Sequence, residues 1–559
     1  MNLPISDIFS LFQKGEKWCI LVVFLTLILL SILEATGIYI LAVVAGLLIG
    51  KNIVELTPEL FSRFLEPFSN NDLLVLFVSF FFLKGVMFLI SQNKIYGFLY
   101  RKYSNIASEL VIEYTSRSYK EFTKFPPSVY HRNINSDSFW VIANVIIPFF
   151  NMLVELLLIA ILLSYLTIAF FEEINFLYLL LAPIIFKLIL IHKEYVKRRG
   201  EESQNRLGEI NRITREILNN FKFIKVGHLY PFTKAMVEDS VRAYGRNSAF
   251  LKVIAQLPRH IFEFLAIFSI AIFSITNKSE IVYSSSSGFL LIGLIRSLPS
   301  LNRIMSDFTM ISYYQPSLKV VNNDLKNAEK RKKIINQNPI DIKVSSLNLK
   351  DVCFSYDGLE NMMLRNINLE FKLGRLYVIK GLSGSGKTTL VNILAGLLEP
   401  VSGSIFINNR EINLYNENIS QIISYTPQDV ILNKGTLKEN IEFGNTSNEK
   451  LLSKAIYASC IDDMERKLEL SFNLDESANS LSGGEKQRVS IARSLYKNNQ
   501  IMIFDESTSA LDIKTQREVI DRIKAEYKDT ILIFVAHRPE IYDLADEIIE
   551  INKGQVNEV

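Results

Sequence analysis

The chain has 559 residues, and 61 Lys and Arg stand against 58 Asp and Glu, so the net charge of +3 is too small for a general nucleic-acid binder. Its mean hydropathy of +0.20 is high for a protein in which 21% of the residues are charged. The cause is an uneven distribution, since residues 1–310 hold long apolar runs and residues 340–559 have mixed polarity. This division excludes a wholly soluble, a disordered or a disulfide-stapled protein, and the three scattered cysteines form no metal-binding pattern.

Six apolar stretches are long enough, or nearly so, to cross about 30 Å of hydrocarbon as helices. They lie at about 19–49, 73–99, 145–171, 174–192, 257–276 and 281–305. The connections 101–137 and 193–252 hold six and thirteen Lys and Arg, whereas the alternate connections hold three in total. By the positive-inside rule, we expect both termini and both basic connections on the cytoplasmic side of the membrane. The first stretch is too long for the core of a cleavable signal peptide.

The two basic connections have the apolar spacing of helices over 104–120 and 196–218, so the spanning helices are expected to extend into the cytosol. Short docking elements are predicted at their tips, at Pro126–Pro127 and at 219–225. Outside the membrane, residues 57–68 predict a short amphipathic helix, with Thr57 as N-cap and Pro58 at its first position.

The soluble part contains a glycine-rich loop that follows an apolar strand and opens a helix. This context is that of a phosphate-binding P-loop, in which backbone amides and the helix N-terminus bind anions. The expected nucleotide-binding residues of this loop are Gly381, Ser383, Gly384, Ser385, Gly386, Lys387, Thr388 and Thr389. Lys387 is expected to neutralise the β- and γ-phosphates, and the Thr388 hydroxyl to bind Mg²⁺.

A second element is the apolar strand 501–504, which ends in two carboxylates. Phosphoryl transfer from ATP requires one group that holds Mg²⁺ and another that orients or polarises the attacking water. Asp505 is assigned the first role and Glu506 the second.

Between these elements lies Leu481-Ser482-Gly483-Gly484-Glu485-Lys486-Gln487-Arg488, which resembles the signature of ATP-binding cassette (ABC) transporters. Further elements of that family stand in the same order along the chain, and together they are much more specific than a P-loop. They are Val352-Cys353-Phe354-Ser355-Tyr356, Gln428 after Tyr425-Thr426-Pro427, Ser509-Ala510-Leu511-Asp512 and His537. The resemblance implies a six-span α-helical transmembrane domain at 1–325, a linker at 326–342, and an α/β P-loop ATPase (ABC nucleotide-binding) domain at 343–559.

By this resemblance Tyr356 stacks on adenine, Gln428 senses Mg²⁺ and the membrane half, and His537 acts with Glu506 at the γ-phosphate. Ser482, Gly483, Gly484 and Asp512 are assigned to the ATP site, and the signature completes the site of the opposite subunit. A homodimer is therefore expected, with a heterodimer as the alternative. Two departures from the family pattern are Glu485, where Gln is usual, and Arg538-Pro539 after His537.

Four basic residues lie in or beside the spans, where a charge is expensive and indicates a functional site: Lys84, Arg259, Arg296 and Arg303. Either they line a cavity for an anionic head group, or they have a structural role near the inner ends of the helices, Arg259 pairing with Glu263. Several stretches, including Leu257-Pro258-Arg259 and Pro299-Ser300-Leu301-Asn302-Arg303, resemble bacterial lipid-linked oligosaccharide flippases. In those flippases basic residues at these positions surround the pyrophosphate, and an outer helix contacts the polyprenyl tail.

The implied function is ATP-driven, Mg²⁺-dependent flipping of a polyprenyl-pyrophosphate-linked oligosaccharide across the bacterial cytoplasmic (inner) membrane. Membrane lipid and the glycolipid are then the expected partners, and nucleic acid is not. The alternative is an ABC exporter of peptides, lipids or amphiphilic drugs, for which Glu34, Glu155 and Glu263 provide possible cation sites. An ATPase without transport and an ATP-binding protein without turnover are disfavoured by the spans and by Glu506, and an importer by the absence of a periplasmic-binding segment.

Overall fold

The computed structural model describes residues 4–48, 70–169, 177–276, 285–335, 339–356, 361–462, 473–474 and 481–558. The chain divides into two compact units. The first comprises Met1–Ser116 and Phe125–Lys332, and the second comprises Arg117–Lys124 and Lys333–Val559. The predicted boundaries at 325 and 343 remain a prediction; the division adds that a short segment from the first basic connection belongs to the second unit. The predicted outer helix at 57–68 lies outside the described residues.

The first unit is helical throughout its described residues. Its α-helices are α1 (Ile5–Ser10), α2 (Lys17–Leu48), α3 (Asn70–Thr115), α5 (Pro127–Arg132), α6 (Ser138–Val141), α7 (Ile147–Ala169), α8 (Leu177–Asn219), α9 (Phe221–Val226), α10 (Tyr230–Thr276) and α11 (Ser285–Ile335), while α4 (Tyr119–Phe122) belongs to the second unit. Wider π-helical turns, Asn133–Asp137 and Ile142–Ile146, flank α6. The predicted helical extensions of the spans are confirmed, since α3 and α8 continue without a break far beyond their apolar stretches; their place in the cytosol stays a prediction.

Among the residues that the structure describes, three helical segments are long and apolar enough to cross a membrane: Lys17–Gly37, Leu74–Thr115 and Pro127–Ile161. They coincide with the first three predicted spans. The helices α8, α10 and α11 run through the other three predicted spans, whose apolar side chains lie largely outside the described residues. Residues 219–225, where a docking element is predicted, contain most of the short helix α9, and their docking role stays a prediction.

A buried polar cluster joins three segments in the first unit. The Asp137 carboxylate accepts hydrogen bonds from Arg132 Nε at 3.1 Å, Gln204 Nε2 at 2.9 Å and Ser317 Oγ at 2.7 Å. Beside it, α8 approaches α11 at Gly200, where a Cβ atom would lie 1.9 Å from the Tyr313 carbonyl oxygen. Because buried charges are stable only when paired and hydrogen-bonded, this cluster fixes how α8 lies against the π-helical turn and α11.

The second unit contains a six-stranded sheet in the order β12-β11-β3-β10-β9-β6, in which all strands but β12 are parallel. An antiparallel sheet has the order β2-β1-β4-β5, and β7 pairs with β8. The strands are β1 (Ser346–Phe354), β2 (Leu364–Lys372), β3 (Leu376–Lys380), β4 (Ser402–Ile407), β5 (Arg410–Glu411), β6 (Ile423–Thr426), β7 (Gly435–Thr436), β8 (Asn473–Leu474), β9 (Ile501–Asp505), β10 (Ile531–Val535), β11 (Glu547–Asn552) and β12 (Gln555–Glu558).

Helices cover the parallel sheet, as expected for strands that are apolar on both faces. They are α12 (Lys387–Leu394), α13 (Leu437–Glu442), α14 (Glu449–Ala458), α15 (Gly483–Tyr496) and α16 (Ile513–Glu526). Every residue of β9 and β10 is buried. The P-loop follows β3, and the predicted carboxylates follow β9, so both groups come to the carboxyl edge of one sheet, where open α/β sheets bind ligands.

Candidate nucleotide-binding site

The P-loop has the geometry of an anion-binding turn. Gly384 and Gly386 have φ of +79° and +108°, which favours glycine at both positions. Gly386 is the N-cap of α12 and gives that helix no side-chain cap, so the first amides of the helix are directed toward the loop. Ser385 Oγ is buried and has no hydrogen-bond partner among the described residues. A loop with uncapped amides and an unsatisfied hydroxyl fits the phosphates of a nucleotide.

Lys387 is held inside this loop. Its Nζ donates to the carbonyl oxygens of Gly381 at 2.9 Å and Leu382 at 3.0 Å, and the residue is only 5% exposed. Burial lowers the pKa of Lys387, although the nearby carboxylates of Glu506 and Asp505 act in the opposite direction. An anion in the loop would raise that pKa again, because an opposite charge favours the protonated amine.

Asp505 ends β9 as a buried carboxyl group. Burial raises its pKa, and Lys387 acts against that rise. The Tyr425 hydroxyl donates to Asp505 Oδ2 at 3.1 Å, which holds the side chain in one orientation. Mg²⁺ binds oxygen ligands, so the oriented Asp505 carboxylate is a candidate ligand. The Thr388 hydroxyl, in the first turn of α12, is a second candidate ligand.

Glu506 is the centre of a small hydrogen-bonded group. Gln428 Nε2 donates to Glu506 Oε2 at 2.7 Å, and His537 Nε2 lies 2.8 Å from Oε1. The residue has φ of +47°, a conformation that non-glycine residues adopt rarely and that is concentrated at functional sites. Three predicted residues, which follow β6, β9 and β10, thus meet at one carboxylate that can accept a proton from water.

The predicted adenine-stacking residue lies at the edge of the P-loop helix. The Tyr356 side chain is 45% exposed, and its ring meets Phe354 edge to face with centroids 4.9 Å apart. Its hydroxyl lies 3.2 Å from Thr389 Oγ1. An exposed, oriented ring beside the P-loop is available for stacking on a base.

The signature residues form the start of α15. Ser482 is its N-cap, with its Oγ accepting from the Glu485 amide at 3.3 Å while its own amide donates to Glu485 Oε2 at 2.8 Å. Gly483 and Gly484 form the first turn. Asp512 is the N-cap of α16 and accepts from the Thr515 amide, so it has a structural function in addition to its assigned place in the ATP site.

Sequence reasoning did not identify three residues that organise the site. Tyr425 fixes Asp505, as described above. Gln487 accepts from the Ala510 amide at 2.8 Å and donates to Ser509 Oγ at 3.1 Å, which joins the signature helix to the loop after Glu506. Arg538, which departs from the family pattern, donates to the Ser509 and Leu511 carbonyl oxygens at 2.7 Å each and so holds the same loop.

The candidate substrate residues are paired with carboxylates where the structure describes them. Lys84 Nζ lies 2.6 Å from Glu34, Arg303 Nε lies 2.6 Å from Glu155, and Arg259 Nε lies 2.8 Å from Glu263. The Arg259 side chain is 63% exposed, so this pair fits the structural interpretation. The side chain of Arg296 lies outside the described residues. The basic substrate site therefore stays a prediction.

The family model of ABC transporters matches residues 364–509. An export ATP-binding/permease protein of Rickettsia bellii is 38% identical over 231 residues, which are 40% of this chain and 40% of that relative. ATP-dependent lipid A-core flippases of Haemophilus influenzae and Wigglesworthia glossinidia brevipalpis are 28% and 27% identical over 71% and 68% of this chain, and over 70% and 67% of their own length.

The fold is similar to that of a solved bacterial exporter. The structure of a bacterial Atm1-family ABC exporter with ATP bound matches with a TM-score of 0.75 at 18% identity, covering 98% of this chain and 95% of that one. Residues 364–509 therefore match the ATPase domain of ABC transporters, and the fold as a whole is that of an ABC exporter, in which a helical domain and an ATPase domain are fused in one polypeptide.

Proposed function

We propose that the chain binds ATP with Mg²⁺ and hydrolyses it to drive export of a membrane substrate. The observation that carries this proposal is the group around Glu506, since a carboxylate held by Gln428 and His537 beside a P-loop is suited to polarise an attacking water. Lys387 neutralises phosphate charge, and Asp505 with Thr388 and Gln428 holds the metal, which supplies charge neutralisation at the transferred phosphoryl group. Tyr425 and Arg538 keep the surrounding loops in place.

The proposed assembly is a homodimer in which Ser482, Gly483 and Gly484 complete the ATP site of the second copy. In this arrangement the Ser482 hydroxyl still has its hydrogen to donate, because its oxygen is the acceptor in the cap of α15. The helix α9 supports a second copy as well. Phe221, Phe223 and Val226 are 62%, 72% and 83% exposed, and a group of exposed apolar side chains on one short helix marks an interaction surface.

The proposed substrate is a lipid with an anionic head group, specifically a polyprenyl-pyrophosphate-linked oligosaccharide, which is flipped across the bacterial inner membrane with both chain termini in the cytosol. Two relatives named as lipid A-core flippases match along about 70% of this chain, a length that includes part of the helical domain as well as the ATPase domain. Lys84, Arg296 and Arg303 supply the positive charge that a pyrophosphate requires.

A second candidate is an exporter of peptides or amphiphilic drugs. It is favoured by the ion pairs, since Glu34 and Glu155 already neutralise Lys84 and Arg303 and leave less positive charge for a head group. A relative from Lactococcus lactis is named as a lactococcin-A transport/processing protein, and it matches 38% of this chain.

The test is transport by the full-length protein in proteoliposomes. ATPase activity should fall about 10²- to 10⁴-fold in Glu506→Gln, whereas Glu526→Gln, an exposed acid of α16, should leave it unchanged. Polyprenyl-pyrophosphate oligosaccharide, lipid A-core and a cationic peptide are offered separately. Flipping of the first lipid that is lost in Glu506→Gln and in Arg296→Ala/Arg303→Ala supports the proposed substrate. ATPase activity with transport of the peptide alone favours the second candidate, and no ATPase activity contradicts both.

A further inference from the structure

A cavity of about 190 Å³ lies inside the first unit. Its walls come from α6 with the following π-helical turn, and from α8, α10 and α11. All of these wall residues lie just beyond the apolar stretches of their helices. A dry cavity of about 150 Å³ holds one benzene ring, so this cavity has room for a single ring with a small substituent.

The walls combine aromatic rings with partly exposed polar side chains. The Trp140 and Tyr314 rings are 5.5 Å apart at 52°, and Tyr313 and Tyr314 are 5.1 Å apart at 70°. Asn144, Tyr244 and Ser248 also line the cavity, and none of their side chains has a hydrogen bond within the described part of the chain. Aromatic faces with free donors and acceptors between them are typical of a site for a small planar ligand.

The backbone directs two of these side chains to the same place. Trp140 lies in α6, between the two π-helical turns, and Asn144 lies within the second turn. A π-helical turn changes the direction of the side chains that follow it and is common at functional sites. Opposite them, Gly200 lets α8 approach α11 closely enough to close the cavity, because any larger residue would meet the Tyr313 carbonyl oxygen.

The charge of the lining indicates an anion. Lys252 is an exposed cation of the lining, and no carboxylate belongs to the lining residues, all of which are described. The buried acid Asp137 accepts hydrogen bonds from the lining residues Gln204 and Ser317, and it is paired with Arg132 at 3.1 Å. An anionic substituent at the open side would therefore meet a lysine within the lining, while the Glu202 carboxylate, which is not a lining residue, acts on the Tyr313 hydroxyl.

We propose that this cavity is a binding site for a small planar aromatic acid, with the ring between Trp140, Tyr244 and Tyr314 and the acid group at Lys252. This proposal depends neither on the identity of the proposed transport substrate nor on ATP hydrolysis by the protein. A bound ligand would bridge α8, α10 and α11 to the π-helical turn.

The chain contains a direct reporter, because Trp18 and Trp140 are its two tryptophans and Trp18 is 77% exposed. In full-length Trp18→Phe protein, 4-nitrobenzoate is titrated while the fluorescence of Trp140 is recorded. We expect saturable quenching, with an affinity at least about fivefold higher than that of the neutral 4-nitrobenzyl alcohol, since one charge-assisted contact is gained.

Two variants and one control decide the result. Lys252→Gln should reduce the affinity for 4-nitrobenzoate about fivefold and leave that for the alcohol unchanged, and Ser248→Phe, which fills the cavity, should abolish saturation for both probes. Lys234→Gln removes the same charge from the same helix outside the cavity and should have no effect. Quenching that rises linearly with probe concentration in every variant would show that no binding site exists and would overturn the proposal. Saturable quenching that is the same for both probes and is unchanged in Lys252→Gln would overturn the proposal that the ligand is an anion.

Discussion

The signature helix α15 begins in a capping box that ties Ser482 to Glu485. The Glu485 carboxylate accepts from the Ser482 amide at 2.8 Å and so holds the Ser482 backbone, while the Glu485 amide donates to the Ser482 hydroxyl oxygen at 3.3 Å and orients it. In the proposed dimer this hydroxyl meets the γ-phosphate of the second copy's ATP, so the orientation of Ser482 should depend on the side chain at 485. We therefore expect Glu485, although it departs from the usual Gln, to act as a positioning residue.

The expected magnitude follows from the bonds that are removed. Glu485→Ala deletes the acceptor of the Ser482 amide, and losing a helix cap costs about 1 kcal/mol. If Ser482 is in place only when capped, kcat/KM for ATP should fall about fivefold, because 1.4 kcal/mol corresponds to a factor of ten. Glu485→Gln keeps a side chain of the same length with an acceptor oxygen at its end, so the kcat/KM of this variant should stay within about twofold of the wild-type value.

The chain provides a matched control in the capping box of α13. There the Thr436 amide donates to Glu439 Oε2 at 2.7 Å and Thr436 Oγ1 accepts from the Glu439 amide at 3.1 Å. Glu439→Ala removes the same kind of bond from the same unit without touching the signature. ATPase rates of the purified full-length variants are measured across ATP concentrations. Equal losses in Glu485→Ala and Glu439→Ala, or no loss in Glu485→Ala, would refute a positioning role.

Two further predictions concern buried carboxylates. Asp137→Asn leaves Arg132 without its partner charge, so we expect the folded protein to be destabilised by about 3–5 kcal/mol and the thermal unfolding midpoint to fall. Adding Arg132→Gln removes the unpaired charge and should partly restore the midpoint. An unchanged midpoint in Asp137→Asn would contradict the role of the buried pair. Because burial raises the pKa of Asp505 and Mg²⁺ binds the ionised form, the Mg²⁺ concentration for half-maximal ATPase should fall as the pH rises through that pKa and stay constant above it. A requirement that is independent of pH between about pH 4 and pH 8 would contradict this linkage.

The local structure around the candidate ATP site could be predicted largely from the sequence, because each of its parts is a short segment. Gly381–Thr388 lies in the strand-loop-helix context that the motif requires, and β9 ends at the two carboxylates. The contacts of Gln428 and His537 with Glu506 could be expected only from the resemblance to a known family, because the two residues are 78 and 31 positions away from Glu506 in the chain. Tyr425 and Arg538 could not be assigned, because their roles depend on which loop each side chain faces and not on any spacing.

The helical part was predictable in outline and not in its contacts. Apolar length predicted the first three spans, and apolar residues at helical spacing predicted the helical extensions, because both are local features of the sequence. The π-helical turns beside α6 could not be predicted, because they have no recognisable sequence pattern. The close approach of α8 to α11 at Gly200 depends on Tyr313, which is 113 positions away in the chain. The aromatic cavity is formed by that approach, so no pattern within a single segment could have indicated it.

The basic residues of the spans illustrate how partners change a functional interpretation. Arg259 and Glu263 are four residues apart on one helix, so their pairing could be anticipated, whereas Lys84 and Arg303 find Glu34 and Glu155 only through the fold. A charge in a low-dielectric site needs a counter-charge at all times, and a carboxylate supplies it while no substrate is bound. An anionic head group would then replace Glu34 and Glu155 as the partner of Lys84 and Arg303. Substrate binding would be an exchange of ion pairs, and the released carboxylates would need solvent or a proton before the substrate could move on.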